Sequence, residues 1–405
     1  MRHSTTQRYL HQWSEAGSRE LAGQCAELGP FEHAAVVPAF NEGAGLVEML
    51  ASVPDTRALV VCVLNAPEDA NEAQLAGNRA SDAALREQLQ IVNDSAAVQC
   101  YRARSNVIAV AHLRTKRKQG VGQARKFGLD ALCWLQQAGT LRSPWLHSTD
   151  ADTRLSSDYF EVDATTRLGG RGVGLGALIH PFSHVPETPR LEQASAAYET
   201  RLLHHAAGLS WARSPYAYPT IGSTIAVDAQ AYAMVRGVPK RAAGEDFYLL
   251  NKLAKVAGVA VGGGGVRIAA RLSDRVPFGT GPALSKALGT ELPRCYEPTL
   301  FEWLKRTWLA MQQAVTEGRP MVIGGPPELR DGLSARGVPE LIANLVATEL
   351  PTNQRQRRLQ DSFDGFATMK LLHAWRERGL PDVPVEDAIG RSPWFEGSPI
   401  QACRL

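Results

Sequence analysis

Short apolar runs alternate with longer amphipathic segments from about residue 34 to residue 280. Six apolar runs have the length and composition of buried strands, at 34–40, 58–64, 106–113, 145–150, 174–182 and 222–227. Helical periodicity marks the segments near 43–52, 70–90, 121–137, 189–209 and 244–257. Apolar strands that alternate with helices indicate βα units and a mostly parallel sheet. The pattern therefore predicts an α/β fold.

The two ends of the chain lack this alternation. Residues 1–30 form a mostly polar, helical lead-in, and residues 283–405 have helical periodicity only, with further helical segments near 338–349 and 355–378. An apolar stripe at helical spacing includes Leu300, Trp303, Leu304, Trp308, Met311 and Val315. We expect this stripe to pack against the α/β domain, predicted at 31–282, because a large exposed apolar patch would promote association.

The composition is that of a globular protein and excludes several classes. The 405 residues are 44% hydrophobic and 21% charged, which excludes a disordered chain. The 44 Lys and Arg balance 41 Asp and Glu, so no nucleic-acid or anionic-membrane partner is expected. The six cysteines form no CxxC pair, which favours reduced thiols. With no signal peptide and no transmembrane segment expected, the sequence predicts a cytoplasmic protein.

Two aspartates separated by one residue close the strand predicted at 145–150. Carboxylates at i and i+2 of an extended chain share a face, so Asp150 and Asp152 can hold one hard divalent cation. Ligands of parallel α/β sheets collect at the carboxyl ends of strands, where this pair would lie. The alternative is a solvated turn, because so short a motif needs structural context.

Three further segments supply context. Pro38 cannot continue a central strand, so the first strand ends there and exposes the polar residues that follow. The segment GVGQARKFG at 120–128 begins a helix whose amides and basic side chains suit a diphosphate. After the run at 222–227, Glu245 and Asp246 begin another helix. The helix dipole would keep Asp246 ionised, although capping is an alternative role for both acids.

Taken together, these four segments resemble those of the family-2 glycosyltransferases over about residues 34–280. The resemblance implies the GT-A fold, which is Rossmann-like, with a mostly parallel sheet flanked by helices and here a helical C-terminal extension. It divides the domain into a nucleotide-sugar half at 31–152 and an acceptor half at 153–282. It implies transfer of a single sugar from a nucleoside-diphosphate sugar to an acceptor hydroxyl, with inversion and with Mg²⁺ or Mn²⁺. The QxxRW motif of processive, membrane-embedded synthases is absent.

The resemblance also implies a role for individual residues. Asp152 would ligate the metal, and Asp150 would contact it through water or contact the ribose. Asp246 would be the catalytic base and Glu245 would position the acceptor. The expected nucleotide-sugar site consists of Pro38, Asn41, Glu42, Asn65, Gly122, Arg125, Asp150 and Arg275.

The sequence departs from the family pattern at several places. Asn65 stands where the family usually has aspartates that read uracil, so the base is not specified. Arg125 is followed by Lys126, whereas the family commonly has asparagine there. A family histidine is missing from the segment at 271–281. Arg271 or Arg275 could contact the leaving diphosphate in its place, or form a structural salt bridge.

Two other functions are weighed against this hypothesis. A sugar-nucleotide nucleotidyltransferase usually has a glycine-rich loop followed by arginine and lysine after its first strand, but PAFNEGAG at 38–45 lacks these basic residues. A catalytically inactive GT-A binding module is disfavoured by the intact acidic pairs. The sequence leaves open the acceptor, the donor sugar, inversion as against retention, the third metal ligand and the oligomeric state, including a homo-oligomer.

Overall fold

The computed structural model describes residues 4–95, 97–116, 118–171, 174–273, 279–289 and 292–405, which form a mixed α/β fold. The strands are β1 (His33–Ala39), β2 (Ala58–Pro67), β3 (Gln90–Asp94), β4 (Gln99–Ala103), β5 (Asn106–Thr115), β6 (Trp145–Ser148), β7 (Thr153–Leu155), β8 (Ala164–Gly170), β9 (Leu175–Ile179), β10 (Phe182–Pro186), β11 (Ile225–Asp228), β12 (Gly258–Gly262) and β13 (Val266–Ala270). The helices are α1 (Thr5–Trp13), α2 (Ser18–Ala26), α3 (Gly45–Ala51), α4 (Glu72–Gln88), α5 (Gly120–Gln137), α6 (Glu192–Trp211), α7 (Ala229–Met234), α8 (Glu245–Leu253), α9 (Thr280–Gly289), α10 (Thr299–Glu317), α11 (Pro327–Ala335), α12 (Val338–Val346), α13 (Thr352–Ser362), α14 (Gly365–Arg376) and α15 (Val385–Gly390).

The main sheet has ten strands in the order β3-β4-β5-β2-β1-β6-β11-β9-β12-β8. Strands β5, β2, β1 and β6 are mutually parallel, whereas β11 is antiparallel to both of its neighbours. Strands β1 and β2 are buried along nearly their whole length, as expected for central strands covered on both faces. A second sheet has the order β10-β13-β7. The four parallel strands end at one edge of the main sheet. Polar residues at or just beyond the ends of β1, β2 and β6 lie together at this edge.

Helix α5 packs directly on the strands that end at this edge. A Cβ at Gly128 would lie 2.5 Å from Val36 Cγ1, so glycine permits the close approach of α5 to β1. The predicted lead-in is present as α1 and α2, and both pack on α5. Lys126 Nζ donates to Asp130 Oδ2 at 2.8 Å and to Tyr9 Oη at 2.6 Å. Lys126 therefore joins α1 to α5 and does not face a ligand.

The structure differs from the predicted element pattern at several places. Strands β3, β4 and β8 were not expected, because these segments are short and contain polar residues among their apolar ones. The helical segment near 355–378 consists of two helices, α13 and α14. Asp364 interrupts it, since its side chain accepts hydrogen bonds from the amides of Phe366 and Ala367 and caps α14. Local side-chain capping therefore overrides the continuous apolar periodicity.

The helices after residue 280 pack against the α/β part of the chain. The stripe on α10 is buried, and α10 contacts α6, α13 and α14. Helix α14 is joined to α8, because Asp364 accepts a hydrogen bond from Asn251 Nδ2 at 3.0 Å and pairs with Lys255. All six cysteines are buried free thiols. Within the described ranges, no helix is both long and apolar enough to cross a membrane.

Candidate active site

A cleft of about 850 Å³ opens at the edge where the parallel strands end. Pro38 in β1, Asn65 in β2 and the segment at 150–152 after β6 form one part of its wall. The start of α8 and residues of α14 form another part. Clefts at the carboxyl ends of parallel strands are the usual ligand sites of open α/β sheets. This cleft is therefore the candidate active site.

The Arg125 guanidinium connects the two acidic pairs. Its Nη2 lies 2.9 Å from Asp150 Oδ1, and its Nε lies 3.2 Å from Glu245 Oε1. Its Nη1 donates to Ser148 Oγ and, at 2.9 Å, to the carbonyl of Gly222. These four acceptors use four of the five guanidinium N–H groups. Arg125 is 3% exposed, so it acts as a buried link between the strand end and α8.

The charge of Arg125 is maintained despite its burial. Burial lowers the pKa of a guanidinium, but the charges of Asp150 and Glu245 outweigh this effect and raise the pKa of Arg125. A charged arginine at this position compensates the buried carboxylate of Glu245 and the partly exposed carboxylate of Asp150. Removal of the arginine would leave Glu245, which is also buried, without its countercharge.

A second arginine connects the ends of β1 and β6. Arg271, which follows β13, has its Nη2 2.6 Å from Glu42 Oε2 and 3.0 Å from Asp152 Oδ2. The pKa of Asp152 is raised to about 6, chiefly by burial and also by the charge of Asp150, while the charge of Arg271 opposes the shift. Arg271 was expected either to contact a diphosphate or to form a structural salt bridge, and it forms the salt bridge.

Glu245 and Asp246 occupy the first turn of α8, as the sequence predicts. Gly244 precedes them with a φ of 73°, a left-handed conformation that glycine adopts without strain. The pKa of Glu245 is raised to about 7, chiefly by burial and also by the charge of Asp246, while the charge of Arg125 opposes the shift. Burial also raises the pKa of Asp246, although its Oδ1 accepts a hydrogen bond from the Phe247 amide at 2.7 Å. Burial therefore opposes the helix dipole, which was expected to keep Asp246 ionised.

Most of the expected site residues line the described wall of the cleft. They are Pro38, Glu42, Asn65, Arg125, Asp150, Asp152, Glu245 and Asp246. Asn41 lies outside this wall, and its main-chain N–H donates to Asn78 Oδ1 at 2.9 Å. Arg275 lies outside the described residues.

Gly122 also lies outside the described wall, although it was expected to bind the nucleotide sugar. Its amide donates to the carbonyl of Arg241 at 2.9 Å. A Cβ at Gly122 would lie 2.6 Å from the carbonyl oxygen of Pro239, so glycine is required for the loop at 239–242 to pack on the start of α5. The glycine thus serves a close contact between main chains.

Several residues of the wall were not anticipated from the sequence. They are Tyr198, Arg241, Phe247, Tyr248, Phe366 and Met369. None of them belongs to a motif, and apolar residues at helical spacing are indistinguishable in sequence from core residues. Phe366 lies about 120 positions after Asp246, so only the tertiary packing of α14 on α8 brings the two into one cleft.

The pair of Asp150 and Asp152 fits a divalent cation that is bound together with a diphosphate. Each carboxylate uses one oxygen for an arginine, and the other oxygen has no hydrogen-bond partner among the described residues. In the same part of the chain, no group of three or more His, Cys, Asp or Glu side chains forms a complete metal cage. Mg²⁺ is commonly held by one or two carboxylates plus substrate phosphates, which is the arrangement that this pair allows.

Comparison with known proteins finds no family model that matches this sequence and no curated protein with significant similarity to it. Inferences about function therefore depend on the geometry of the cleft.

Proposed function

We propose that this protein is a glycosyltransferase of the GT-A type. It would transfer a single sugar from a nucleoside-diphosphate sugar to an acceptor hydroxyl, with inversion at the anomeric carbon. The observation that supports this proposal is the meeting of two acidic pairs in one cleft at the ends of parallel strands. Arg125 joins Asp150 of the first pair to Glu245 of the second. Residues 31–152 would bind the donor, 153–282 the acceptor, and the helical region at 283–405 would complete the cleft.

The donor would lie along the ends of β1, β2 and β6. Pro38 and Asn65 line this part of the cleft and would contact the nucleoside, since the Asn65 side chain offers both a donor and an acceptor for a base. Asp150 and Asp152 would hold Mg²⁺ or Mn²⁺, which supplies positive charge to the departing diphosphate. Arg271, which pairs with Asp152, would add to that charge.

The acceptor would be activated at the start of α8. Asp246 would take the proton of the acceptor hydroxyl as the hydroxyl oxygen forms its bond to the anomeric carbon. The bond between that carbon and the diphosphate oxygen breaks, and its electron pair leaves with the diphosphate. A general base of this kind contributes about 10²–10⁴-fold to the rate, and a raised pKa brings the base closer to the operating pH. Glu245 is oriented by Arg125 and would position the acceptor.

A thermal-shift panel tests the proposal. UDP-, GDP- and dTDP-sugars are added to the full chain with Mn²⁺ or Mg²⁺, and a true donor raises Tm by mass action. Release of the nucleoside diphosphate is then followed with a library of hydroxyl acceptors. Binding of a nucleotide sugar without turnover would favour the inactive binding module. Turnover of a nucleoside triphosphate with a sugar phosphate would favour the nucleotidyltransferase.

A further inference from the structure

A row of two cations and two aromatic rings runs along the acceptor side of the cleft. The Arg241 guanidinium carbon lies 3.9 Å from the centre of the Tyr248 ring. The Tyr248 ring is 5.7 Å from the Phe366 ring, measured between centroids. Lys370 Nζ lies 4.0 Å from the centre of the Phe366 ring. Arg241, Tyr248 and Phe366 all line the cleft, and Tyr248 is two residues after Asp246.

Arg241 differs from the other arginines of the described wall. Arg125 and Arg271 are each held by two carboxylates, whereas no carboxylate in the described ranges pairs with Arg241. A guanidinium stacked on an aromatic ring keeps its N–H edge available for a forked bond to a carboxylate or phosphate. The wall therefore contains one arginine whose charge is not compensated by a carboxylate of the described residues.

Arg241 is also held in place before any ligand binds. Its carbonyl accepts the Gly122 amide at 2.9 Å, which fixes the loop to the start of α5. Its side chain is exposed and packs against the ring of Tyr248. Because a cation covers a face of each ring, the row is better suited to present charge than to stack on the apolar face of a sugar.

From this row we infer that the acceptor is a hydroxy compound that carries a phosphate or carboxylate group. Arg241 would bind the anionic group, and the hydroxyl would face Asp246. Lys370 would add positive charge at the other end of the row. The inference rests on the proposed function, since it concerns the second substrate of that reaction.

Matched acceptors test this inference in the full chain. Glycerol is compared with glycerol 3-phosphate, and glucose with glucose 6-phosphate and glucuronate, using the donor found in the thermal-shift panel. A hydrogen bond to a charged group contributes about 1.5–3 kcal/mol, so the anionic member of each pair should have a kcat/KM about 10- to 100-fold higher. Arg241→Gln should remove most of this preference by raising KM for the anionic acceptor, and Arg241→Lys should restore part of it.

Lys240→Gln is the matched control. Lys240 is the neighbouring residue and loses the same charge, but its Nζ pairs with Glu15 at 3.1 Å and it lies outside the described wall of the cleft. The Lys240→Gln variant should prefer anionic acceptors as strongly as the wild type does. An equal preference in wild type and Arg241→Gln would overturn the inference. The inference would also be overturned if Arg241→Gln lost as much affinity for the donor as for the anionic acceptor, because Arg241 would then bind the donor.

Calorimetry with glycerol 3-phosphate separates this inference from the proposed function. Binding that depends on Arg241, without turnover of any sugar nucleotide, would support the anion site and overturn the transferase. Sugar transfer to neutral acceptors at a rate that anionic groups do not improve would support the transferase and overturn the anion site. If neither binding nor transfer occurs, both are overturned.

Discussion

Arg271 donates two hydrogen bonds to a single carboxylate oxygen of Asp152, from Nε at 3.2 Å and from Nη2 at 3.0 Å. The same Nη2 also donates to Glu42, so one cation is shared by two carboxylates. Asp150 lies nearby, and its charge contributes to the raised pKa of Asp152. This end of the cleft therefore carries an excess of negative charge, which attracts a divalent cation and repels a diphosphate that arrives without one.

Asp152→Asn should abolish metal-dependent binding of nucleoside diphosphates and leave the fold intact. The amide keeps the size of the side chain but loses the charge that a hard cation requires. Calorimetry with UDP, GDP and dTDP, in Mn²⁺ and again in chelator, measures the effect. Asp163→Asn is the control, since Asp163 is exposed and outside the described wall of the cleft. Equal nucleotide affinity of the wild type with and without chelator would contradict this prediction.

Arg125→Gln should lower the free energy of unfolding by about 3–5 kcal/mol, because it leaves a buried carboxylate without its countercharge. Urea denaturation at neutral pH measures the change. Arg142→Gln is the control: Arg142 pairs with Glu32 at 2.7 Å, but its side chain is 60% exposed. The loss of such a surface pair should be about 1 kcal/mol or less. Similar losses in the two variants would show that Arg125 is not a structural link.

Asp246→Asn should lower kcat by about 10²–10⁴-fold, the contribution of a general base, and leave donor affinity near that of the wild type. Glu245→Gln should act mainly on the KM of the acceptor. Steady-state kinetics and donor calorimetry separate the two effects. Asp387→Asn is a matched control, because Asp387 also lies in the first turn of a helix but is exposed on α15. Substantial turnover by Asp246→Asn would make the base assignment wrong and favour a retaining mechanism.

The sequence was sufficient to predict the central strands and the helices between them. Runs such as 58–64 are apolar at nearly every position, and only burial on both faces of a sheet explains such a composition. The start of α8 was also predictable, since a glycine followed by two acids is a local signal for a helix N-terminus. Local patterns are reliable where neighbouring residues determine the structure.

The partners of individual side chains could not be predicted. Arg125 was expected to face a diphosphate, yet its four acceptors come from three segments that are 23 to 120 positions away in the sequence. Gly122 was expected to offer its amide to a ligand, but the amide is used by a loop that follows more than 100 residues later. Such contacts depend on tertiary packing, and no pattern within one segment specifies them.

The buried histidines should make a destabilising contribution between about pH 6.5 and 4, which the raised pKa values of Asp152 and Glu245 oppose. His180 and His204 are 0% exposed, and burial lowers the pKa of each to about 4. Below pH 6.5 these histidines bind protons in the unfolded chain but not in the folded chain. Their contribution to the free energy of unfolding is therefore complete above pH 6.5 and is lost as the pH falls toward 4. Each histidine contributes a slope of about 1.4 kcal/mol per pH unit.

Urea denaturation at several pH values between 7 and 4.5 measures this slope, and His204→Gln isolates one contribution. His204 contacts the C-terminal region, since its Nε2 lies 2.9 Å from Ser392 Oγ, and it is remote from the acidic pairs of the cleft. Glutamine does not titrate in this range, so the slope of the variant should be smaller by about 1.4 kcal/mol per pH unit, whatever its stability at pH 7. An unchanged slope in His204→Gln would mean that His204 is protonated in the folded protein as readily as in the unfolded chain. Burial of the imidazole beside α10 and the C-terminal aromatic residues argues against this outcome.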